Sequence, residues 1–248
     1  SDPLTDHHKN IAAALQLKLE NLVINKLKAA KEKYGYKKLC LSGGVALNCS
    51  MNGKIEQSRI FDEIYVQPAS ADDGCAIGAC YLANCRNNKK KFFSKSNYNS
   101  YLGSRYSDDE IEIELKNLKL DYSKSLNIFR ETAEELSKGK IIGWFQGAAE
   151  FGPRALGNRS ILCKPYPAEM KDYLNNQVKF RESFRPFAPA ILSEYQRDFF
   201  EINQDSFHML IASKVKEDKK GTIPAVVHVD RSARVQTVNE NSNKKFYK

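Results

Sequence analysis

Residues 38–48 read KLCLSGGVALN. A short apolar run enters two glycines and leaves as a helix-compatible stretch beginning near Val45. That is the pattern of a strand turning tightly into a helix, where glycine lets the backbone approach a neighbour that any side chain would block. Upstream, residues 6–34 place Ile11, Leu15, Leu19, Leu22, Leu27 and Ala30 on one helical stripe, with Asp6 as N-cap and Gly35 as stop. Downstream come a strand at Ile64-Tyr65-Val66, the acidic turn Asp72-Asp73-Gly74, and a helix rich in small residues from Cys75 to Cys85. Helix, strand, glycine turn, helix, strand, helix defines an α/β layer.

The composition changes at Arg86. Residues 86–106 are rich in Asn, Ser and Lys without a steady period, which places a linker at 89–106 between a first part, 1–88, and a second, 107–248. Phe92, Phe93, Tyr98 and Tyr101 in this stretch are expected to pack against a neighbour. The second part opens with Ser107 and Glu110 as a capping box. It continues through a helix ending at Lys138-Gly139, a strand at Ile141–Phe145, a helix around Ala168–Val178, and strand-like runs at Met209–Val215 and Ala225–Val238.

The length of 248 residues suits one large domain or two modest ones. With 42% hydrophobic and 28% charged residues, wholesale disorder is excluded. No run of about 18 apolar residues offers a membrane-spanning helix. Residues 1–10 lack the basic and apolar regions of a signal peptide, so a cytoplasmic location is expected. The six cysteines include no C-x-x-C pair, which excludes zinc-finger spacing and fits a reducing compartment. A net charge of +9 favours an anionic ligand without choosing among phosphate, nucleic acid and solubility.

Ser42-Gly43-Gly44 suits phosphate, since free amides at a helix start bind phosphate oxygens, and Asn48 would add a donor from one turn inside. The bland alternative is an ordinary tight turn. Asp72 and Asp73 follow a strand end, where open sheets place ligands; a metal-ligand carboxylate and a helix cap compete there. The glycine-rich stretch 143–160, GWFQGAAEFGPRALGNRS, carries Glu150, Arg154 and Arg159. Guanidinium forks on such a loop suit bidentate contact with phosphate or carboxylate, unless Glu150 and Glu182 pair with them. Lys179, Arg181 and Arg185 then alternate with Phe180, Phe184 and Phe187, which would also suit single-stranded RNA. His228, read as lying on a strand, is a candidate general acid–base group or a structural histidine. Cys75, Cys80 and Cys85 recur every five residues, a spacing that reads as helix packing.

The segments SGGVALN, PASADDGCAIGA, GWFQGAAEFGPRALGNRSIL, RESFRPFAPAIL and IPAVVHVDRSARVQTV occur in order over residues 41–238. Together they resemble the NodU/CmcH family of O-carbamoyltransferases. The resemblance implies the C-terminal piece of a Kae1-like domain of actin/hsp70-type ATPase fold, followed by an incomplete YrdC-like α/β domain. It implies that ATP and carbamoyl phosphate give a carbamoyl adenylate, whose carbamoyl group then passes to a hydroxyl of a sugar-like small molecule. A divalent metal, iron in the family and magnesium as the alternative, would assist. Ser42, Gly43, Gly44, Asn48 and Asp73 would contact the nucleotide and Asp72 the metal. Arg154, Arg159, Lys179, Arg181, Arg185 and His228 would serve the carbamoyl phosphate site. Ala148 stands where the family usually has Arg, and His7-His8 does not match its His-x-x-x-His metal pair. The chain thus reads as an internal piece of a longer enzyme, with a homodimer as a further expectation. The second reading is an RNA-binding or tRNA-modifying module, with Lys37-Lys38, Lys89-Lys90-Lys91 and Lys219-Lys220 tracking phosphates.

Overall fold

The structure, a computed structural model, describes residues 3–88 and 99–248. Helix α1 spans Asp6–Tyr34 and ends where Gly35, at φ 70°, returns its N–H to the Lys31 carbonyl. Its N-cap is Thr5 rather than Asp6, which is the first helical residue. Only part of the expected stripe is covered: Leu19 and Leu27, with Val23 and Ile24, pack on the core, while Ile11, Leu15 and Leu22 stay exposed.

Strand β1 (Lys38–Leu41) pairs in parallel with β2 (Glu63–Val66). Between them the chain makes a single 3-10 turn over Gly44–Leu47 and then helix α2, Cys49–Gln57. The helix therefore starts four residues later than the pattern near Val45 suggested. Asn48 is its N-cap, with its side-chain oxygen accepting the Met51 N–H. Helix α3 (Gly74–Asn88) follows β2, with Cys75 and Cys80 exposed rather than packed. Phe92, Phe93, Tyr98 and Lys89-Lys90-Lys91 lie outside the described residues.

Beyond them come α4 (Asp108–Asn117), opened by the expected Ser107–Glu110 capping box, and α5 (Ile128–Ser137). Strands β3 (Ile142–Phe145) and β4 (Arg159–Leu162) form an antiparallel hairpin around the glycine-rich loop. A one-turn helix, α6 (Met170–Tyr173), runs directly into a π-helix at Leu174–Lys179. The last sheet has the order β5 (Ala190–Leu192), β7 (Ser232–Val238), β6 (Ile211–Lys214), with β5 parallel and β6 antiparallel to β7. Short α7 (Gln196–Phe199) links β5 towards β6, and α8 (Glu240–Tyr247) follows β7. The strand-like run from Ala225 is only half strand, because Pro224–Val226 coil into a 3-10 turn before β7 begins.

One apolar core joins Met51 and Ile55 of α2, Phe61 and Ile64 around β2, and Phe200, Ile211, Ala233 and Val235 of the C-terminal sheet. The seam at 89–106 does not divide it. Helix α2 lies directly on β6: a Cβ on Gly53 would stand 2.0 Å from the Ala212 carbonyl oxygen. Asn52, fully buried, donates to the carbonyls of Ala46 (2.7 Å) and Leu210 (2.9 Å). Glu56 accepts from the main-chain and side-chain nitrogens of Asn203, both at 3.0 Å. Burial raises the Glu56 carboxyl above its ordinary range; the Asn203 bond and Arg59 oppose this. Polar groups buried with partners fix one register between the halves, since any slip would strand them.

Candidate functional site

Three loops meet on the segment Pro68–Ser70 behind β2. Gly43 donates its N–H to the Ser70 carbonyl at 2.9 Å. A Cβ on Gly74 would stand 2.0 Å from the Ala69 oxygen, and one on Gly152 would stand 3.0 Å from the Pro68 oxygen. The serine–glycine turn, the acidic turn and the glycine-rich loop therefore share one seat, although they are spread over more than 100 residues of chain.

Within the first loop, Ser42, Gly43 and Gly44 are exposed, and a Cβ on either glycine would meet nothing within 4 Å. Gly43 sits at φ 97°, a conformation that side chains rarely adopt, and its amide is spent on Ser70. Asn48 is not a free donor either. Its Nδ2 donates to Gln16 Oε1 (2.8 Å), and its Oδ1 takes both Met51 N–H and Gln16 Nε2. The surface open to a ligand is thus Ser42 and Gly44. Asp72 and Asp73 are exposed, and their carbonyls accept from Cys75 and Ala76 as the chain enters α3. Among the described residues no group of three His, Cys, Asp or Glu could hold a metal ion.

The glycine-rich loop is built around Glu150, whose Oε1 accepts the main-chain N–H groups of Leu156 (2.6 Å), Asn158 (2.9 Å) and Arg159 (3.3 Å). This carboxylate is an internal strut rather than the ion-pair partner of an arginine. Arg159 is consumed by the same architecture. Its guanidinium lies 3.5 Å from the Phe145 ring centroid and donates to the carbonyls of Gln146, Gly147, Asn158 and Ser104.

Arg154 has a different setting: its Nε is buried and, among the described residues, has no hydrogen-bond partner. The same holds for Nε of Arg234, the one charged residue of β7. Burial, then the charge of Arg154, holds the Arg234 guanidinium below its usual range; Cys49 acts in the opposite sense, and Arg181 lowers it further. Cys49 opens α2 directly after SGGVALN, so the glycine turn and the arginine cluster lie within electrostatic reach of each other.

The cluster extends to Arg181, lowered by burial and by Arg185, with Glu182 opposing. Asn175, fully buried in the π-helix, takes Arg181 Nε–H at 2.7 Å and donates to the carbonyls of Ser183 and Arg185. Arg181 also lies over the Phe187 ring, 4.8 Å from its centroid. Arg185 ion-pairs with Glu182 at 2.8 Å, the partnership the sequence left open. Lys179 is exposed at the end of the π-helix. Electrostatic contacts run from Arg154 through Arg234 and Arg181 to Arg185.

His228 is not on a strand. It opens the turn before β7, with its N–H on the Ser232 carbonyl and Nδ1 3.3 Å from Ser232 Oγ. Burial holds its imidazole below the ordinary range; Asp230 opposes this, while Arg234 and Lys171 add to it. The neutral ring can accept a proton or donate through one nitrogen. Arg234 follows His228 in the sequence with no role attached to it there; its signal is a cation set between Ala233 and Val235, both fully buried.

Comparison with known proteins matches residues 3–81 to the family described as carbamoyltransferase N-terminus and residues 133–248 to carbamoyltransferase C-terminus. The chain belongs to the carbamoyltransferase family. It is similar to nodulation protein NolO of Bradyrhizobium diazoefficiens, 41% identical over 99% of this chain and 46% of the relative. It is also similar to nodulation protein U of Sinorhizobium fredii, 33% identical over 96% of this chain and 41% of that protein. An uncharacterized protein of Synechocystis sp. is 40% identical over 99% of the chain and 44% of its own length. The chain spans less than half the length of these relatives. Among the described residues no helix is long and apolar enough to cross a membrane.

Proposed function

We propose that the protein containing this chain transfers a carbamoyl group to a hydroxyl of a sugar-like small molecule, and that the arginine cluster is its anion site. One observation carries the reading. Arg154 and Arg234 are half-buried and within reach of each other's charge, each with a buried, unpartnered Nε, and among the described residues no carboxylate pairs with them. Such an arrangement costs stability unless an anion completes it. In the reaction we infer, water cleaves carbamoyl phosphate to carbamate and inorganic phosphate, a carbamate oxygen attacks the α-phosphorus of ATP and displaces pyrophosphate, and the acceptor hydroxyl then takes the carbamoyl group and releases AMP. Arg154, Arg181, Arg185, Arg234 and Lys179 neutralise charge that develops on the leaving phosphates. Neutral His228 takes up or returns a proton beside them. Ser42 and Gly44 border the nucleotide, and Asp73 lies on the same rim. Arg159 serves the reaction only by holding the loop.

In this reading residues 1–88 are the end of a Kae1-like domain and residues 107–248 a YrdC-like one. A divalent ion, iron or magnesium, would find a single carboxylate at Asp72. The described residues alone do not make a metal site. The RNA reading gains nothing from the lysine pairs: Lys38 is bound to Glu63 at 2.6 Å, and Lys219 and Lys220 are paired with Asp218 and Glu217. The test is release of pyrophosphate from ATP by the full-length protein, with and without carbamoyl phosphate. Release that requires carbamoyl phosphate is expected; none in either condition refutes the proposal.

A further inference from the structure

Phe180 closes the π-helix in the left-handed region, at φ 48°, and its ring is 82% exposed. A bulky residue rarely adopts that conformation, and here no burial of the ring compensates for it. The ring borders an open hollow of about 620 Å³ whose other walls are Asn176, Arg181, Glu182 and Arg185. The hollow is shallow and open to solvent, so it can hold one face of a ligand rather than enclose it. Two guanidiniums suit phosphate, and a bare aromatic face suits a flat ring; one ligand that uses both is a nucleotide.

Resting on the anion-site reading above, we infer that Phe180 is the platform on which the base of a mononucleotide stacks. The phosphate chain then runs towards Arg181 and Arg185, in the direction of Arg234. Arg181 is prepared for this: its Nε–H is held by Asn175 and its plane by Phe187, which leaves the terminal amino groups to the phosphates. Arg185 exchanges its exposed Glu182 partner for the ligand, and the freed carboxylate is positioned to accept ribose hydroxyls. Asn176 offers both a donor and an acceptor to the base edge. Stacking tolerates any base, so this platform sets affinity for nucleotides over bare phosphates rather than for one nucleobase.

The experiment is calorimetric titration of the full-length protein, wild type, Phe180→Ala and Phe180→Trp, with ATP and with inorganic tripolyphosphate. Phe180→Ala is expected to weaken ATP about tenfold or more and to leave tripolyphosphate within about twofold, while Phe180→Trp restores ATP. Unchanged ATP affinity in Phe180→Ala overturns the inference, and so does an equal loss for both ligands, which would make the ring a shaper of the loop. Oligoadenylate bound more tightly than ATP, and lost in the same variant, overturns it in favour of RNA. The anion-site reading is checked separately by Arg234→Met, which must lose tripolyphosphate.

Discussion

Arg154 and Arg159 lie five residues apart on one loop, and the fold treats them in opposite ways. Arg159 is saturated: a ring beneath it and four carbonyls around it use its donors within the protein. Arg154 is left with a buried, unpartnered Nε and faces a second such arginine across from β7. The residue type alone says nothing about role; what separates the two is whether the protein itself completes the hydrogen bonding. A satisfied cation holds structure, whereas an unsatisfied buried one is held ready for something else.

The sharpest way to break this contrast is Arg234→Met. Carbamoyl-phosphate-dependent pyrophosphate release should fall at least a hundredfold, about 2.7 kcal/mol, while the melting temperature stays level or rises. A fall of more than about 5 °C would mean that Arg234 supports the fold, and the distinction would collapse. Arg154→Lys keeps the charge without the fork and should lose turnover nearly as strongly, again without loss of stability.

Arg159→Ala is the reciprocal case. Removing the stack and the carbonyl contacts should cost about 2 kcal/mol in urea unfolding, while the folded fraction keeps its affinity for ATP. Activity loss at unchanged stability would place Arg159 in the site after all. Gly44→Val should weaken ATP about tenfold, roughly 1.4 kcal/mol, because the space above Gly44 is empty and the added side chain would fill it. Equal affinity in a folded variant would reduce the serine–glycine turn to plain geometry. The smallest effect belongs to Glu182→Ala. Loss of its exposed pair with Arg185 should leave the melting temperature unchanged, and inorganic phosphate should bind no more weakly once that competitor is gone.

Much of this was legible in the residues. The capping box at Ser107, the stop at Gly35 and the strand before Ser42 depend on local chemistry that a few neighbouring side chains declare. The expectations that the structure corrects share a cause. Asn48 looked like a donor one turn inside a helix, yet its place is decided by Gln16, 32 residues away. His228 looked like a strand residue because Val227 and Val229 flank it, but Pro224 had already bent the chain into a turn. Glu150 was open as a counter-ion because four arginines follow it within 35 residues, and its partners in space are main-chain amides. The site cations were visible as a group; which of them are spent and which are spare is a property of tertiary contacts that no spacing carries.

The common seat on Pro68–Ser70 gives the molecule a built-in strain gauge. The Arg154 loop rests against the same short stretch of chain that anchors Gly43, so displacement of that loop would disturb this anchor. The proton on the Gly43 amide, shielded only by its bond to the Ser70 carbonyl, would then exchange with solvent at a rate set by how tightly the far-off arginine loop is seated. An anion that settles that loop would be read as slower exchange at a glycine it never touches.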